Sequence, residues 1–401
     1  ASLARPACLR ADDMRGATSR PDRAPAHQAR APNASCQRRN GAAAAVFTIN
    51  KAKAAPVLLS MAHLEASGGR AQAVIVNAGC ANACTGAQGS ADAREMAALT
   101  SSILGCEPEK VLVASTGVIG VSLPMTNVRA GIEHALSART PSGGDAAGLA
   151  IMTTDPFPKS HAIECVLADG RAFRVGGIAK GSGMIEPRMA TMLAFLTTDV
   201  EIEPALLRRA LVSAVDRTFN AITVDGECST NDCAIVMASG ASGTRIAEAD
   251  LDDFTAAIAH VSGAMARDIV RGGEGATKLV EITVSGAATE ADAWLAARTV
   301  ANSPLVKTAI HGGDPNWGRL VAAAGRSGAA FEIERVSVAI GGVHVFERGV
   351  PHDERAGAAA EIFRQKEIAI AIDLGLGDGT ATMWTCDFSA EYVRINGEYR
   401  T

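Results

Sequence analysis

A short segment near the middle of the chain combines a charged side chain, a run of glycines and a hydroxyl group. It reads Lys180-Gly-Ser-Gly-Met-Ile-Glu-Pro-Arg-Met-Ala-Thr-Met-Leu193, with Thr191 at the start of an apolar stretch. A threonine hydroxyl can act as a nucleophile in acyl transfer when a base activates it, but within an intact chain Thr191 has no base of its own. By composition alone, the segment indicates a loop that enters a buried strand.

Two further loops carry hydroxyl groups beside apolar runs. They are Ser115-Thr116-Gly117 and Thr153-Thr154-Asp155, and either one by itself is more typical of a turn than of a site. The most motif-like histidine is His311, in His311-Gly-Gly-Asp-Pro-Asn-Trp-Gly-Arg319. We interpret that stretch as a structural loop.

Nucleotide and metal motifs are absent from the sequence. The run Gly272-Gly-Glu-Gly-Ala-Thr-Lys278 lacks P-loop spacing and follows a predicted helix, while Gly375-Leu-Gly-Asp-Gly379 precedes a predicted strand. The nine cysteines form no CxxC pair and the eight histidines form no HxxxH pair. We therefore expect neither a metal nor a bound cofactor. Unpaired cysteines in a chain of this length favour a reducing compartment.

The elements that would position these residues alternate along the chain. Short apolar runs predict buried strands at 73–76 and 111–113, and apolar residues at helical spacing predict helices over 90–104, 204–219 and 250–270. The first helix would bury Met96, Leu99 and Ile103, and the third would bury the seam Phe254, Ile258, Val261, Met265 and Ile269.

Toward the C-terminus, apolar residues recur at every second position. This pattern predicts half-exposed strands at 280–284 and 368–372, and Asp378-Gly379 is expected to turn the latter into a hairpin with 380–386. Helices combined with such strands indicate a layered α/β protein with substantial antiparallel sheet.

Composition limits the classes of partner. The 401 residues include 48% hydrophobic and 20% charged side chains, as in globular proteins, and no apolar run approaches the roughly 18 residues of a membrane span. A net charge of −5 and 4% aromatic residues argue against nucleic acid or a membrane as partners. Residues 1–40 carry eight arginines and no apolar period, so they indicate a divergent, loosely ordered extension.

The segment ending at Leu193 belongs to a series of blocks in fixed order. The others include Val46-Phe-Thr-Ile-Asn50, Asn82-Ala-Cys-Thr-Gly86, Ser115-Thr-Gly-Val-Ile-Gly120, Met152-Thr-Thr-Asp155, Ser229-Thr-Asn-Asp232, Gly273-Glu-Gly-Ala-Thr-Lys278 and Asp314-Pro-Asn-Trp-Gly-Arg319. From about Gly41 onward, the chain resembles the ornithine acetyltransferase family of arginine biosynthesis. The usual N-terminal opening of that family is not recognisable in residues 1–40.

The resemblance implies a ping-pong transfer of an acetyl group from N2-acetyl-L-ornithine to L-glutamate. It implies Thr191 as the nucleophile, and Thr116 and Gly117 as an oxyanion hole. It also implies substrate-binding positions at Thr154, Lys180, Thr191, Glu274, Asn396 and Thr401. A lysine cation suits a substrate carboxylate and a glutamate suits an amino group. Whether acetyl-CoA is a second donor stays open.

Self-cleavage between Ala190 and Thr191 is part of the same resemblance. Attack of the Thr191 hydroxyl on the Ala190 carbonyl would shift the acyl group from nitrogen to oxygen, and water would cleave the resulting ester. The products are an α chain, whose residues 41–190 form an N-terminal lobe, and a β chain of residues 191–401. The liberated α-amine, with a pKa of about 7.7–8.0, can then activate the hydroxyl of the same residue.

The implied fold is a multilayer α/β sandwich with mixed or antiparallel sheets in two lobes. The implied assembly is an α2β2 heterotetramer in the cytoplasm that acts on small molecules. Two other functions remain open at this point. One is an N-terminal-nucleophile hydrolase or aminopeptidase, which would use the same self-cleavage with water as acceptor. The other is a non-catalytic metabolite-binding protein, which would keep an intact chain.

Overall fold

The computed structural model describes the backbone of residues 5–9 and the full structure of residues 41–186 and 192–398. Three residues named above, Ala190, Thr191 and Thr401, therefore lie outside the described residues. Within the described ranges, no helix has both the length and the apolar character needed to cross a bilayer.

Fifteen strands and eleven α-helices form from the described residues. The strands are β1 (Arg5–Leu9), β2 (Gly41–Phe47), β3 (Arg70–Ala71), β4 (Ala73–Cys80), β5 (Val111–Val118), β6 (Lys159–Val166), β7 (Ala172–Lys180), β8 (Leu193–Thr198), β9 (Cys233–Ala238), β10 (Leu279–Ala287), β11 (Ser337–Ile340), β12 (Val343–Glu347), β13 (Val350–Pro351), β14 (Glu367–Asp373) and β15 (Gly379–Cys386). The helices are α1 (Ala55–Ala66), α2 (Gly86–Leu104), α3 (Met125–Ser137), α4 (Gly144–Ala150), α5 (Pro204–Asp216), α6 (Leu251–Arg271), α7 (Glu290–Ala301), α8 (Pro304–Gly312), α9 (Trp317–Gly325), α10 (Ala356–Phe363) and α11 (Ala390–Glu398).

A six-stranded central sheet has the order β3-β2-β9-β8-β7-β6, with β8 parallel to β9 and antiparallel to β7. Every residue of β8 and β9 is buried, which explains why these strands are continuous apolar runs with no alternation. Strands β2, β3, β6 and β7 precede the predicted scissile bond, and β8 and β9 follow it. The two predicted chains therefore share one sheet.

Four layers are built around the central sheet. One face packs against α5 and α6 through a large apolar cluster that includes Leu211 and Ile258. The other face packs against β4 and β5 through a second apolar cluster that includes Phe195, Val76 and Leu112. The outer side of β4 and β5 is in turn covered by α2 and α3. This α/β/β/α stack is the multilayer sandwich that the resemblance implies.

A second lobe has its own core. Its six-stranded sheet has the order β13-β12-β11-β14-β10-β15, and the buried cluster joins that sheet to α7, α8, α9 and α10. Strands β14 and β10 show the predicted alternation, with Ile368, Ile370 and Ile372 facing the core. The chain is thus a mixed α/β protein in two lobes.

The hairpin prediction is wrong. Strand β15 does not pair with β14; both flank β10, which is parallel to β14 and antiparallel to β15. The Asp378-Gly379 turn does redirect the chain. However, β10 lies between the two strands and takes the hydrogen bonds that a hairpin would have used.

Two of the three predicted helices are confirmed, and for α6 the predicted buried face is confirmed as well. All five residues of the α6 seam are fully buried, as are Leu207, Leu211 and Val215 of α5. Helix α2 is partly mispredicted, because it begins at Gly86 and not at Ser90, and Ile103 is 47% exposed. Its buried face contains small and polar residues such as Ala93, Ala97 and Thr100, which an apolar pattern does not reveal.

Within residues 1–40, for which the sequence predicts a loosely ordered extension, the structure describes one strand. Residues Arg5–Leu9 pair antiparallel with β4 and complete a three-stranded sheet with β5. A free sheet edge offers unpaired N–H and C=O groups, so a strand can add there through its backbone without an apolar period in its side chains.

Candidate active site

Strands β4 and β5 end in an irregular pair that sets the position of Thr116 and Gly117. The parallel register aligns Gly79 with Gly117 and shifts at Cys80. Gly117 has φ +125°, and a Cβ atom there would lie 2.5 Å from the Gly79 carbonyl oxygen. Only glycine fits this close approach of two backbones. Thr116 and Gly117, near the end of β5, thereby line a cavity.

One cavity brings together all six described residues that the resemblance assigns to the site. They are Thr116, Gly117, Thr154, Lys180, Glu274 and Asn396. The rest of the wall comes from Ala81, Ile119, Thr153, Gly183, Met184, Ser229, Thr230 and Asn231. These residues come from seven separate stretches of the sequence on both sides of position 191, so the fold alone makes them neighbours.

Lys180 supplies a buried cation to the cavity. It is the last residue of β7 and is 3% exposed. Its Nζ donates hydrogen bonds to the hydroxyls of Thr153 at 2.6 Å and Thr116 at 3.2 Å. Burial lowers the pKa of Lys180, although the nearby Asp155 carboxylate opposes that shift. Two hydroxyls therefore hold the ammonium group at the cavity wall, with the Asp155 carboxylate 3.8 Å away.

Glu274 supplies the opposite charge. Its backbone N–H donates to the Ser182 carbonyl at 2.9 Å, and its carboxylate accepts a hydrogen bond from the Asn396 amide at 2.9 Å. A Cβ on Gly183 would lie 2.6 Å from the Glu274 carboxyl carbon, so the glycine lets the carboxylate approach. The cavity thus has a cationic wall and an anionic wall, which suits a molecule carrying both a carboxylate and an amino group.

The loop Ser229–Asp232 lies just before β9, and the resemblance implies no role for it. Asn231 bridges the layers, because its amide donates to the carbonyls of Ala81 at 2.6 Å and Ser115 at 2.9 Å. Asp232 is 1% exposed, and its Oδ1 accepts the backbone N–H of Met192 at 3.0 Å. Its Oδ2 has no hydrogen-bond partner among the described residues, and burial raises the pKa of this carboxyl well above its usual value. A buried carboxyl is therefore held against the residue that follows Thr191.

The segment before the predicted scissile bond is held by Asp225. Its carboxylate accepts the backbone N–H groups of Met184 at 2.7 Å and Ile185 at 2.9 Å. Met184 has φ +55°, a left-handed conformation that is uncommon for a residue with a side chain. Burial raises the pKa of Asp225 to about 6, although three backbone N–H groups oppose that shift.

We expect Asp225 to make stability fall with rising pH. Between the unfolded pKa of about 3.9 and the folded value of about 6, the native state keeps a proton that the unfolded chain has lost. The free energy of unfolding of the wild type, relative to Asp225→Asn, should therefore drop by about 2 kcal/mol from pH 4 to pH 6.5 and then stay level. Urea unfolding of both proteins across this range measures the difference, and a pH-independent difference contradicts the prediction.

His311 and its motif lie apart from the cavity wall. The histidine is in the last turn of α8, not in a loop, and its Nδ1 lies 2.6 Å from Asp387 Oδ2. Trp317 begins α9 and stacks on Phe346 with ring centroids 4.7 Å apart. The loop prediction is therefore only partly right, because residues 313–316 connect α8 to α9 while the rest of the motif forms helix ends.

A sequence model of the ArgJ family matches residues 34–401 of this chain. The chain belongs to the ArgJ family. It is 51% identical over 363 residues to the arginine biosynthesis bifunctional protein ArgJ of Symbiobacterium thermophilum, which covers 90% of both chains. It is 48% identical over 374 residues to the ArgJ protein of Geobacter sulfurreducens, covering 91% of this chain and 93% of the relative. The family resemblance seen in the sequence is thereby confirmed.

Solved structures of ArgJ proteins match parts of the chain. The ArgJ protein of Bacillus halodurans is 38% identical and covers 50% of this chain and 96% of its own, with a TM-score of 0.49. An ornithine acetyltransferase of Mycobacterium tuberculosis, solved in complex with ornithine, is 42% identical and covers 37% of this chain and 77% of its own, with a TM-score of 0.34.

Proposed function

We propose that this ArgJ-family protein transfers an acetyl group from N2-acetyl-L-ornithine to L-glutamate through an acetyl-enzyme on Thr191. The observation that carries the proposal is the single cavity lined by Thr116, Gly117, Lys180 and Glu274. Membership of a family whose curated members are named arginine biosynthesis bifunctional proteins supports the same activity. Both substrates are amino acids, which fits a cavity with one cationic and one anionic wall.

Each wall of the cavity has a role in the proposed reaction. Lys180 binds the α-carboxylate of donor and acceptor, and Glu274, held by Asn396, binds the side-chain ammonium of ornithine. Thr154 lines the wall beside Lys180. The end of β5 at Thr116 and Gly117 stabilises the negative charge that develops on the acetyl oxygen, a contribution of about 2.7–4 kcal/mol per donor in other acyl-transfer sites.

In the proposed cycle, the Thr191 α-amine removes the proton of its own hydroxyl, which attacks the acetyl carbonyl. Collapse of the tetrahedral intermediate releases ornithine with that proton on its amine. The amino group of glutamate then attacks the acetyl ester, and its proton passes through the α-amine to the Thr191 oxygen, which leaves as the regenerated hydroxyl and releases N-acetylglutamate. The proposed cycle uses no metal and no redox cofactor.

Self-cleavage before Thr191 would precede this cycle. The β chain would remain bound to the α chain, because the central sheet takes strands from both. We propose that two such pairs form an α2β2 assembly with twice the 41.1 kDa of one chain. The described side chains of Cys80, Cys84, Cys165, Cys233 and Cys386 are free thiols, in keeping with the reducing cytoplasm, where we place the enzyme.

Steady-state kinetics with both substrates test the proposed activity. We expect ornithine and N-acetylglutamate to appear in equal amounts, with parallel double-reciprocal plots, and a single-turnover burst of ornithine when glutamate is omitted. Continuous ornithine release without glutamate would instead favour a hydrolase. Substitution of acetyl-CoA for the donor decides whether it is a second acetyl source.

A further inference from the structure

A second buried lysine lies behind the cavity wall and has no role in the cycle above. Lys159 is the first residue of β6 and is fully buried. Its Nζ donates to Asp155 Oδ1 at 2.6 Å and lies 5.0 Å from the ring centroid of Phe157. A buried ammonium group is costly unless a partner stabilises it, so its presence beside Lys180 requires an explanation.

Asp155 is shared unequally between the two lysines. Its Oδ1 accepts hydrogen bonds from Lys159 Nζ at 2.6 Å and from the Gly181 N–H at 2.7 Å. Its Oδ2 accepts a hydrogen bond from the Thr153 N–H at 3.2 Å and lies 3.8 Å from Lys180 Nζ. The latter distance exceeds that of a hydrogen bond. Burial opposes the ionisation of Asp155, but the charges of Lys180 and Lys159 outweigh it and hold the pKa of this carboxyl below its usual value.

The Lys180 ammonium therefore donates its hydrogen bonds to groups other than Asp155. Its hydrogen bonds go to the hydroxyls of Thr153 and Thr116, which both line the cavity. Two ammonium groups pair with the one carboxylate of Asp155 at this wall, while Glu274 of the same cavity acts on Lys180 through its charge. The wall thus keeps positive charge that Asp155 does not neutralise. That charge is available to an anion entering the cavity.

We propose that Lys159 is a positioning residue for substrate binding. Its ammonium group pairs with the Asp155 carboxylate, and this pairing leaves the Lys180 ammonium free to bind the α-carboxylate of the amino-acid substrates. The proposal rests on the acetyl-transfer function above. Without the Lys159 charge, Asp155 would draw Lys180 from its present 3.8 Å into a hydrogen-bonded ion pair, and the Lys180 charge would no longer be available to the cavity. Lys159 itself need not touch the substrate.

Three variants test this role. Lys159→Met keeps the length of the side chain and removes its charge, Lys159→Arg keeps a charge, and the double variant Lys159→Met with Asp155→Asn removes the anion that would capture Lys180. Lys366→Met, at an exposed position, is the control for loss of a lysine charge. Calorimetry measures binding of L-ornithine and of putrescine, which is ornithine without its carboxylate. The transfer assay gives KM and kcat for N2-acetylornithine.

Lys159→Met should weaken ornithine binding and raise the KM for N2-acetylornithine by about tenfold or more, with little change in kcat or in putrescine binding. The double variant should restore most of the ornithine affinity, which a merely structural role would not do, and Lys159→Arg should stay within about threefold of wild type. Equal loss for ornithine and putrescine, or no rescue in the double variant, overturns the proposal. If Lys159→Met does not fold, the double variant alone tests the proposal. A tenfold loss of ornithine affinity in the double variant would then overturn the proposal. Absence of acetyl transfer in the wild type would reject the proposed function instead, which the binding data distinguish.

Discussion

Thr191→Ala is expected to leave a single intact chain and to lower acetyl transfer by about 10⁴-fold or more, because it removes the oxygen that both cleaves the backbone and carries the acetyl group. The wild type should show two bands on a denaturing gel, and N-terminal sequencing of the C-terminal band should start at Thr191. The same gel and the transfer assay on Thr191→Ala measure both losses.

Thr191→Ser is the matched control, since it keeps the hydroxyl and removes only the β-methyl group. It should still cleave and transfer acetyl groups, more slowly, because serine has more freedom at χ1. An active Thr191→Ala protein, or a wild type that is active as one unbroken chain, would refute the proposed mechanism. The first result would indicate direct transfer between the two substrates, and the second would indicate a base other than the Thr191 α-amine.

Gly117→Ala should lower kcat by about 10²–10³-fold, because the added Cβ displaces the strand end that forms the proposed oxyanion hole. The methyl group would lie 2.5 Å from the Gly79 carbonyl oxygen, and φ +125° is a conformation that residues with a side chain rarely adopt. The three atoms nearest to that position are backbone atoms of Gly79 and Cys80, so no flexible side chain can move aside. We therefore expect a lower melting temperature together with the loss of turnover.

Gly120→Ala separates steric clash from backbone strain. Gly120 lies just beyond the end of β5 with φ +77°, but a Cβ there would have no neighbour within 4 Å. It should lose stability by about 1 kcal/mol with kcat nearly unchanged. Thermal unfolding and the transfer assay compare the two variants. Equal kcat values for Gly117→Ala and Gly120→Ala would show that the close approach to Gly79 is not needed for catalysis.

Local sequence patterns predicted those helices and strands that can be recognised without knowing which other element they pack against. The α6 seam follows a helical period, and the isoleucines of β14 follow a period of two, so burial of one face is visible in the order of residues alone. Strand pairing is not visible in the same way. The alternation of β14 and β15 is satisfied equally by a hairpin or by β10 between them, because pairing depends on contacts far apart in the chain.

By itself, the sequence determined which residue types are available for acyl transfer, and its ordered blocks marked Thr116, Gly117, Thr154, Lys180, Glu274 and Asn396 for one site. Only the tertiary structure decided that these six line a common cavity and that Asp155, Lys159 and Asp232 support it from behind. A buried charge cannot be read from a sequence pattern, because lysine and aspartate are ordinarily exposed. Their effect on the site arises when the layers close over them and remove the water that would otherwise screen their charges.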